Sequence, residues 1–375
     1  MIIAGEASGD LHGATLAHAI QNRSSSTALF GVGGSAMQAA GVRRILDSNT
    51  LSVVGITEVV AKLPVIHHGF VTVTRALRRE QPDLLILIDF PDFNFLVASV
   101  AKKLQIPVLY YISPQIWAWR QNRVKTIRRL VDHMAVIFPF EAAFYRRHRV
   151  PVTFVGHPLL DRIEPAPVRL TGSATSAAPV IGLVPGSREK EVTTLLPIML
   201  QAALRIKRQI PAARFLVSCA ATISPDLVTA MAKPFDAALA PQIVQGAIVD
   251  LLARSRLLIA ASGTVTLEAA LHGVPAVIIY KISPLSYWLG KRLIKVDHIG
   301  IVNLIAGKTL LPELIQDDAS PRRIADTIVD LIRDPHGLER IKSELAGLKD
   351  LLGGAGASDR VAAIALRLIG RPDSR

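Results

Sequence analysis

Leu84-Leu85-Ile86-Leu87-Ile88-Asp89-Phe90-Pro91-Asp92-Phe93-Asn94 carries the pattern from which the fold can be read. Its five leading residues leave no polar face, so a strand here is buried on both sides, as in a parallel sheet with helices on each face. The run ends in an acid, and a helix is expected to begin near Asp92. Similar β-rich runs recur at Met1–Ala4, Ala28–Val32, Val108–Ile112, Met134–Phe138 and Val152–Val155. A second series follows at Val180–Val184, Arg214–Ser218, Gln242–Val244, Leu257–Ala261 and Ala276–Tyr280, with helical patterns between the runs. Alternation of this kind predicts an α/β chain of two doubly wound, Rossmann-like domains with a cleft between them. The expected N-terminal domain is 1–165. A Pro- and Ser-rich linker spans 166–179, the C-terminal domain 180–345, and a C-terminal helical region 346–375. In such sheets ligands bind beyond the carboxyl ends of the strands, so the residues after each strand are the ones to examine.

Composition narrows the partners. The 375 residues are 50% hydrophobic and 19% charged, with a formal net charge of +13. Half the chain can build ordinary cores, which excludes a disordered polyelectrolyte, and no long Lys/Arg run forms a histone-like tail. A basic folded surface suits anionic small molecules, anionic lipid head groups or nucleic acid. The single cysteine, Cys219, excludes an internal disulfide and fits a reducing compartment. No apolar run is long enough to span a bilayer. Met1–Ala4 lacks the features of a signal peptide and reads as the tail of a first strand cut short, with a start upstream.

Four loops hold candidate chemistry. Gly5-Glu6-Ala7-Ser8-Gly9-Asp10 follows the first strand; its acids suit sugar hydroxyls better than phosphate, and the alternative is a turn with Asp10 near a helix cap. Asp89 has no evident backbone task, and at a partly desolvated strand end its carboxylate is a candidate base for a hydroxyl. Asp92 is expected to cap the following helix. Pro185-Gly186-Ser187-Arg188-Glu189 follows Val180–Val184 and offers Arg188 as a planar fork for phosphate oxygens; its alternative is an exposed pair with Glu189 or Glu191. Ser262-Gly263-Thr264 opens another helix, whose first-turn N–H groups suit a diphosphate. Glu268, one turn on, is placed for ribose hydroxyls or for the helix dipole alone. Two anion-friendly loops in the second half, against an acidic loop in the first, put a nucleotide on the second domain.

Aromatic residues and charge are also unevenly spread. All three Trp and all five Tyr lie within Tyr110–Tyr145 and Tyr280–Trp288. Arg120–Arg149 and Lys281–Lys295 together carry a net charge of +10. Such segments stack on rings or sit at a membrane interface, although Tyr110 and Tyr111 read as strand packing. Ser48–Val73 is rich in apolar residues, among them Val59, Val60, Leu63, Ile66 and Phe70, and Arg75, Arg78 and Arg79 follow it. It reads either as a surface entering the head-group region of an anionic bilayer or as a buried helix.

Several of these motifs resemble the lipid-A-disaccharide synthase family. The resemblance is carried by Ala4-Gly5-Glu6-Ala7-Ser8-Gly9-Asp10, by Ile88-Asp89-Phe90-Pro91-Asp92-Phe93-Asn94 and by Ser113-Pro114-Gln115-Ile116-Trp117-Ala118-Trp119-Arg120. Phe138-Pro139-Phe140-Glu141, Gly156-His157-Pro158, Pro185-Gly186-Ser187-Arg188 and Ser262-Gly263-Thr264 continue it in the family's order to about Leu311. The resemblance implies a GT-B glycosyltransferase. It would join UDP-2,3-diacylglucosamine to 2,3-diacylglucosamine 1-phosphate, with inversion, to give the β-1′,6-linked lipid A disaccharide phosphate and UDP. It also implies Asp89 as base, and Gly186, Ser187, Arg188, Ser262, Gly263, Thr264, Glu268 and Asn303 around the donor. Glu6, Ser8, Gly9, Asp10 and Gln115 fall on the acceptor side, and Val59, Val60, Leu63, Ile66 and Phe70 contact membrane or acyl chains. No cofactor or metal is expected, and Asp89-Phe90-Pro91-Asp92 lacks Asp-x-Asp spacing. The implied location is the cytoplasmic face of the inner membrane, without nucleic acid. For 346–375 two readings stand: a return to the first domain, or exchange with the partner of a homodimer. Against this reading stand a nonhydrolysing UDP-sugar epimerase, which would need no acceptor, and a lipid-binding protein without catalysis.

Overall fold

A computed structural model gives the fold for residues 1–51, 63–162, 178–282, 287 and 296–370, which are the described residues. The chain divides into two compact units, Met1–Arg162 with the segment from Leu352 onward, and Ile163–Leu351. Each carries one parallel sheet with helices against it, the doubly wound form expected from the sequence.

The first unit holds β1 (Ile2–Ala4), β2 (Phe30–Gly33), β3 (Arg43–Asp47), β4 (Leu85–Ile88), β5 (Val108–Tyr111), β6 (His133–Val136) and β7 (Val152–Phe154). They run parallel in the order β3-β2-β1-β4-β5-β6-β7. All four residues of β4 are buried, because helices cover both faces of the strand. One face packs Leu77 of helix Leu63–Glu80, Val97 of Pro91–Lys103 and Ile127 of Val124–Leu130 against Leu85, Leu87 and Tyr110. Chain order reverses between β1 and β4. That is the topological switch point, where loops diverge and leave a crevice at the carboxyl edge.

The terminal helix Ala357–Ile369 also belongs to this unit and packs on helix Ala7–Arg23. Asp161 accepts bonds from the N–H groups of Gly356, Ala357 and Ser358, at 2.5, 3.3 and 3.5 Å. A remote carboxylate thus does the work of a helix cap and complements the dipole. Arg360 donates to the carbonyls of Val155, Ala355 and Gly354, locking the start of the same helix to the end of β7.

The second unit holds β8 (Val180–Val184), β9 (Arg214–Cys219), β10 (Gln242–Gln245), β11 (Leu257–Ala261), β12 (Ala276–Tyr280) and β13 (Glu313–Ile315). Again all are parallel, in the order β10-β9-β8-β11-β12-β13, with the switch point between β8 and β11. Helices Glu189–Gln209 and Pro321–Arg333 bury Leu196, Met199, Ile324 and Ile328 in one core with Ile181 and Ile259 of the sheet.

Two strands lie outside the apolar runs: β3, with two arginines, and the three-residue β13. Both are edge strands, where one side needs no apolar cover. Most of the linker and of the Lys281–Lys295 segment, together with Val59 and Val60, lies outside the described residues, as does the side chain of Leu63.

Candidate active site

At the switch point of the first sheet, the loops after β1, β4 and β5 bring Glu6, Asp89 and Gln115 to one edge. Asp89 and Phe90 are consecutive residues in the left-handed region, with φ of 45° and 50°. Such a pair costs on the order of 1–3 kcal/mol per residue unless the surroundings hold it. The Phe90 ring occupies the space beside Gly5, where a Cβ would come within 2.2 Å of it, so glycine is required at that position. Asp89 is half-buried. Burial first, and the negative charge of Glu6 second, push its carboxyl up to about 6, partly offset by a bond from the Phe90 N–H. Nearby, Glu141 is buried and pushed up to about 8 by loss of solvent. Its carboxyl accepts from Trp117 Nε1 at 3.0 Å and from the Phe138 N–H at 3.2 Å.

The remaining acidic-loop residues divide. Ser8 and Gln115 are exposed, and Glu6 is half-buried at the start of helix Ala7–Arg23. Gly9 is buried where a Cβ would lie 3.3 Å from that of Ala4. Asp10 turns inward and accepts from the N–H groups of Gly34, Ala36 and Met37 at 2.7–3.0 Å. It anchors helix Ser35–Ala39 rather than facing the edge. Asp92 departs from its expected capping role: the helix begins on Phe90 and Pro91, and the Asp92 carboxylate instead pairs with Arg123 at 2.6 Å.

Aromatic residues of Tyr110–Tyr145 also serve the interior. Tyr110, Tyr111, Trp117 and Tyr145 are buried, leaving Trp119 exposed with the Arg120 guanidinium 4.1 Å over its ring. In the apolar segment, Val73 is fully buried and Ile66 and Phe70 pack on the core. Those three positions follow the buried-helix reading, while Val65 is exposed.

In the second unit a cavity of about 440 Å³ opens at the carboxyl ends of β8, β9, β10 and β11, across that sheet's switch point. It gathers Gly186, Ser187, Arg188, Ser262, Gly263 and Thr264. Gly186 has φ of 114°, and a Cβ there would meet Glu191 Oε2 at 2.4 Å, so only glycine suits the turn. Arg188 is exposed and pairs with Glu191 at 3.1 Å. Glu268 and Asn303 are not among the lining residues. Asn303 is fully buried, donating to Leu311 O and Glu313 and accepting from the N–H groups of Leu310 and Leu311. Its side chain fixes the segment before β13. Glu191, expected from sequence only as a partner for Arg188, also lines the cavity, as do Ser218, Cys219 and Gly246, to which the sequence alone assigned no site role. The signal for the last three is position, at or just after the carboxyl ends of β9 and β10.

A family model described as lipid-A-disaccharide synthetase matches residues 1–351. The chain belongs to the lipid-A-disaccharide synthase family. It is 48% identical to the lipid-A-disaccharide synthase of Geobacter sulfurreducens, over 99% of this chain and 97% of that one. Identity to the Nitrosococcus oceani synthase is 43%, over 98% and 95%. Membership makes the chain a glycosyltransferase of lipopolysaccharide biosynthesis. Among solved structures it is similar to the UDP-GlcNAc 2-epimerase of Neisseria meningitidis, with a TM-score of 0.65 and 12% identity, over 98% and 99% of the two chains. The kitacinnamycin glycosyltransferase gives a TM-score of 0.62 at 14% identity, over 98% of each chain. At these identities the likeness shows the two-domain fold alone, shared by epimerases and transferases, while the sequence family separates them.

Proposed function

We propose that this chain joins UDP-2,3-diacylglucosamine to 2,3-diacylglucosamine 1-phosphate, with Asp89 as the base. The acceptor's 6-hydroxyl proton passes to the Asp89 carboxylate while its oxygen attacks the donor's anomeric carbon. The bond from that carbon to the β-phosphate oxygen breaks, and its electron pair leaves with UDP. One displacement of this kind inverts the anomeric configuration. The reading rests on Asp89: a half-buried carboxyl at a switch point, near pH 6, is ionised at neutral pH yet more basic than an ordinary carboxylate. Arg188 and the start of helix Thr264–Leu271 supply positive potential where charge arrives on UDP. The exposed Arg188–Glu191 pair is worth only about 0–1 kcal/mol, little enough for a diphosphate to take over. Glu6, Ser8 and Gln115 are the acceptor-side candidates that face outward.

The same reading places the enzyme on the cytoplasmic face of the inner membrane. Among the described residues no helix is long and apolar enough to cross a bilayer. Leu11, Val65, Leu96 and Trp119 are 42–55% exposed, each in the opening turns of a helix that starts beyond the carboxyl edge of the first sheet. An apolar rim there suits acyl chains. Lys125, Arg128, Arg147 and Arg149 border a basic hollow of about 350 Å³ in the same unit, suited to lipid phosphates. The test is UDP release with each lipid substrate omitted in turn. Turnover is expected only with both present, and consumption of donor without acceptor would instead indicate an epimerase.

A further inference from the structure

The turn that carries Asp89 is held by two side chains, Asn94, which closes the Asp89 motif without an assigned role, and Tyr110, which reads from sequence as strand packing. Asn94 Nδ2 donates to the Asp89 carbonyl at 2.6 Å and reaches the Ile88 carbonyl at 3.4 Å. Tyr110 OH donates to the same Asp89 carbonyl, also at 2.6 Å. Asn94 and Tyr110 are both fully buried. Two carbonyls face the Asn94 amide, so its nitrogen must point at them, and its Oδ1 is buried without a hydrogen-bond partner among the described residues. An unpartnered buried oxygen costs about 1–3 kcal/mol. Burial, with the Asp89 charge adding to it, keeps the Tyr110 hydroxyl protonated well above its usual range, so it remains a donor.

We infer that Asn94 and Tyr110 are positioning residues for the transfer reaction. Together they grip the Asp89 carbonyl, fix the left-handed turn at Asp89 and Phe90, and so aim the carboxylate at the acceptor hydroxyl. Neither touches the reacting atoms. This inference rests on the proposed role of Asp89 as base. Two features of the turn support it. The grip is on the backbone of the one residue whose side chain does the chemistry, and the Phe90 ring that follows is seated on Gly5 of the neighbouring loop. The carboxylate's direction is therefore set by contacts from β5, from helix Pro91–Lys103 and from the loop after β1.

The test is a mutant cycle in the full-length protein with both lipid substrates. Asn94→Ala and Tyr110→Phe are each expected to lower kcat about 10- to 100-fold, the scale of a small misplacement of a reacting group. KM for both substrates should stay within about twofold of wild type. In an Asp89→Ala background the same substitutions should change the residual rate by less than about twofold, because there is no carboxylate left to aim. Equal fractional losses with and without Asp89 would mean a structural role only and overturn the inference. So would wild-type kcat in Tyr110→Phe, the variant that keeps the packing should Asn94→Ala fail to fold. If Asp89→Ala turns over at close to the wild-type rate, the reading of Asp89 as base fails and the positioning role falls with it. An inactive Asp89→Ala beside a fully active Tyr110→Phe removes the positioning role alone.

Discussion

In the first unit, His12, Asp89, Glu141 and His157 are drawn out of water, and their pKa values move to about 4, 6, 8 and 3. Burial is the leading cause for each, so each is pushed toward its uncharged form. In the second unit, the charged groups beside the site, Arg188 and Glu191, meet at the surface over a cavity floored by strand ends. Both units place a switch point in a parallel sheet, yet one draws carboxyls and imidazoles out of water and the other leaves charged groups at the surface. Desolvation raises the basicity of a carboxylate, whereas a nucleotide must come and go, which favours accessible N–H and guanidinium groups. The first unit is also discontinuous in sequence, with the terminal helix packed on helix Ala7–Arg23.

Three substitutions sharpen the contrast. Arg188→Ala should lower kcat/KM for the donor by about 10²-fold, through loss of stabilisation on the departing diphosphate, and leave acceptor KM near its wild-type value. An equal effect on both substrates would blur the division of labour between the units.

Asp89→Asn should abolish turnover and yet stabilise the first unit. The Asp89 pKa is raised in the fold, so the stability its protonated form brings is full below about pH 4 and is lost as pH rises through about 6. An amide keeps that stability at all pH values. The variant should therefore be more stable by ~1–3 kcal/mol at pH 7–8 and equal to wild type near pH 4, by denaturant melts at the two values. A loss of stability at pH 7 would mean that the carboxylate is a structural anchor.

The smallest effect is expected at Asp161→Ala, which removes the remote cap of helix Ala357–Ile369 at a cost of about 1–2 kcal/mol. Amide exchange should accelerate within that helix and leave β8–β12 unchanged. Uniform acceleration in both units would show that they unfold together.

Strand ends and their following loops were legible in the sequence because a doubly buried strand is an uninterrupted apolar run, and the residue that ends it falls at the carboxyl edge. The positions of Asp89 after β4 and of Arg188 in the loop after β8 are readable that way. The edge strands β3 and β13 were not, since an edge tolerates the charge of Arg43 and Arg44 and needs only three residues. Partnerships were the least legible. Spacing shows that Asp10, Asp92 and Asn303 follow a strand or begin a helix. It does not show that Asp10 holds the turn at Gly34, that Asp92 meets Arg123, or that Asn303 is consumed by the segment before β13. Those bonds join residues that only the folded topology brings together. The cap of the terminal helix is the extreme case, with Asp161 lying 195 residues before the Gly356 N–H it binds.

The proposed role of Asp89, a base tuned by burial, is tested most directly by the pH dependence of kcat/KM for the acceptor. Wild type should gain about tenfold in rate per pH unit below a midpoint near 6 and level off above it. Asp89→Ala should be lower throughout and lack that limb. The same limb persisting in Asp89→Ala, or a flat wild-type profile between pH 5 and 7, would contradict the assignment.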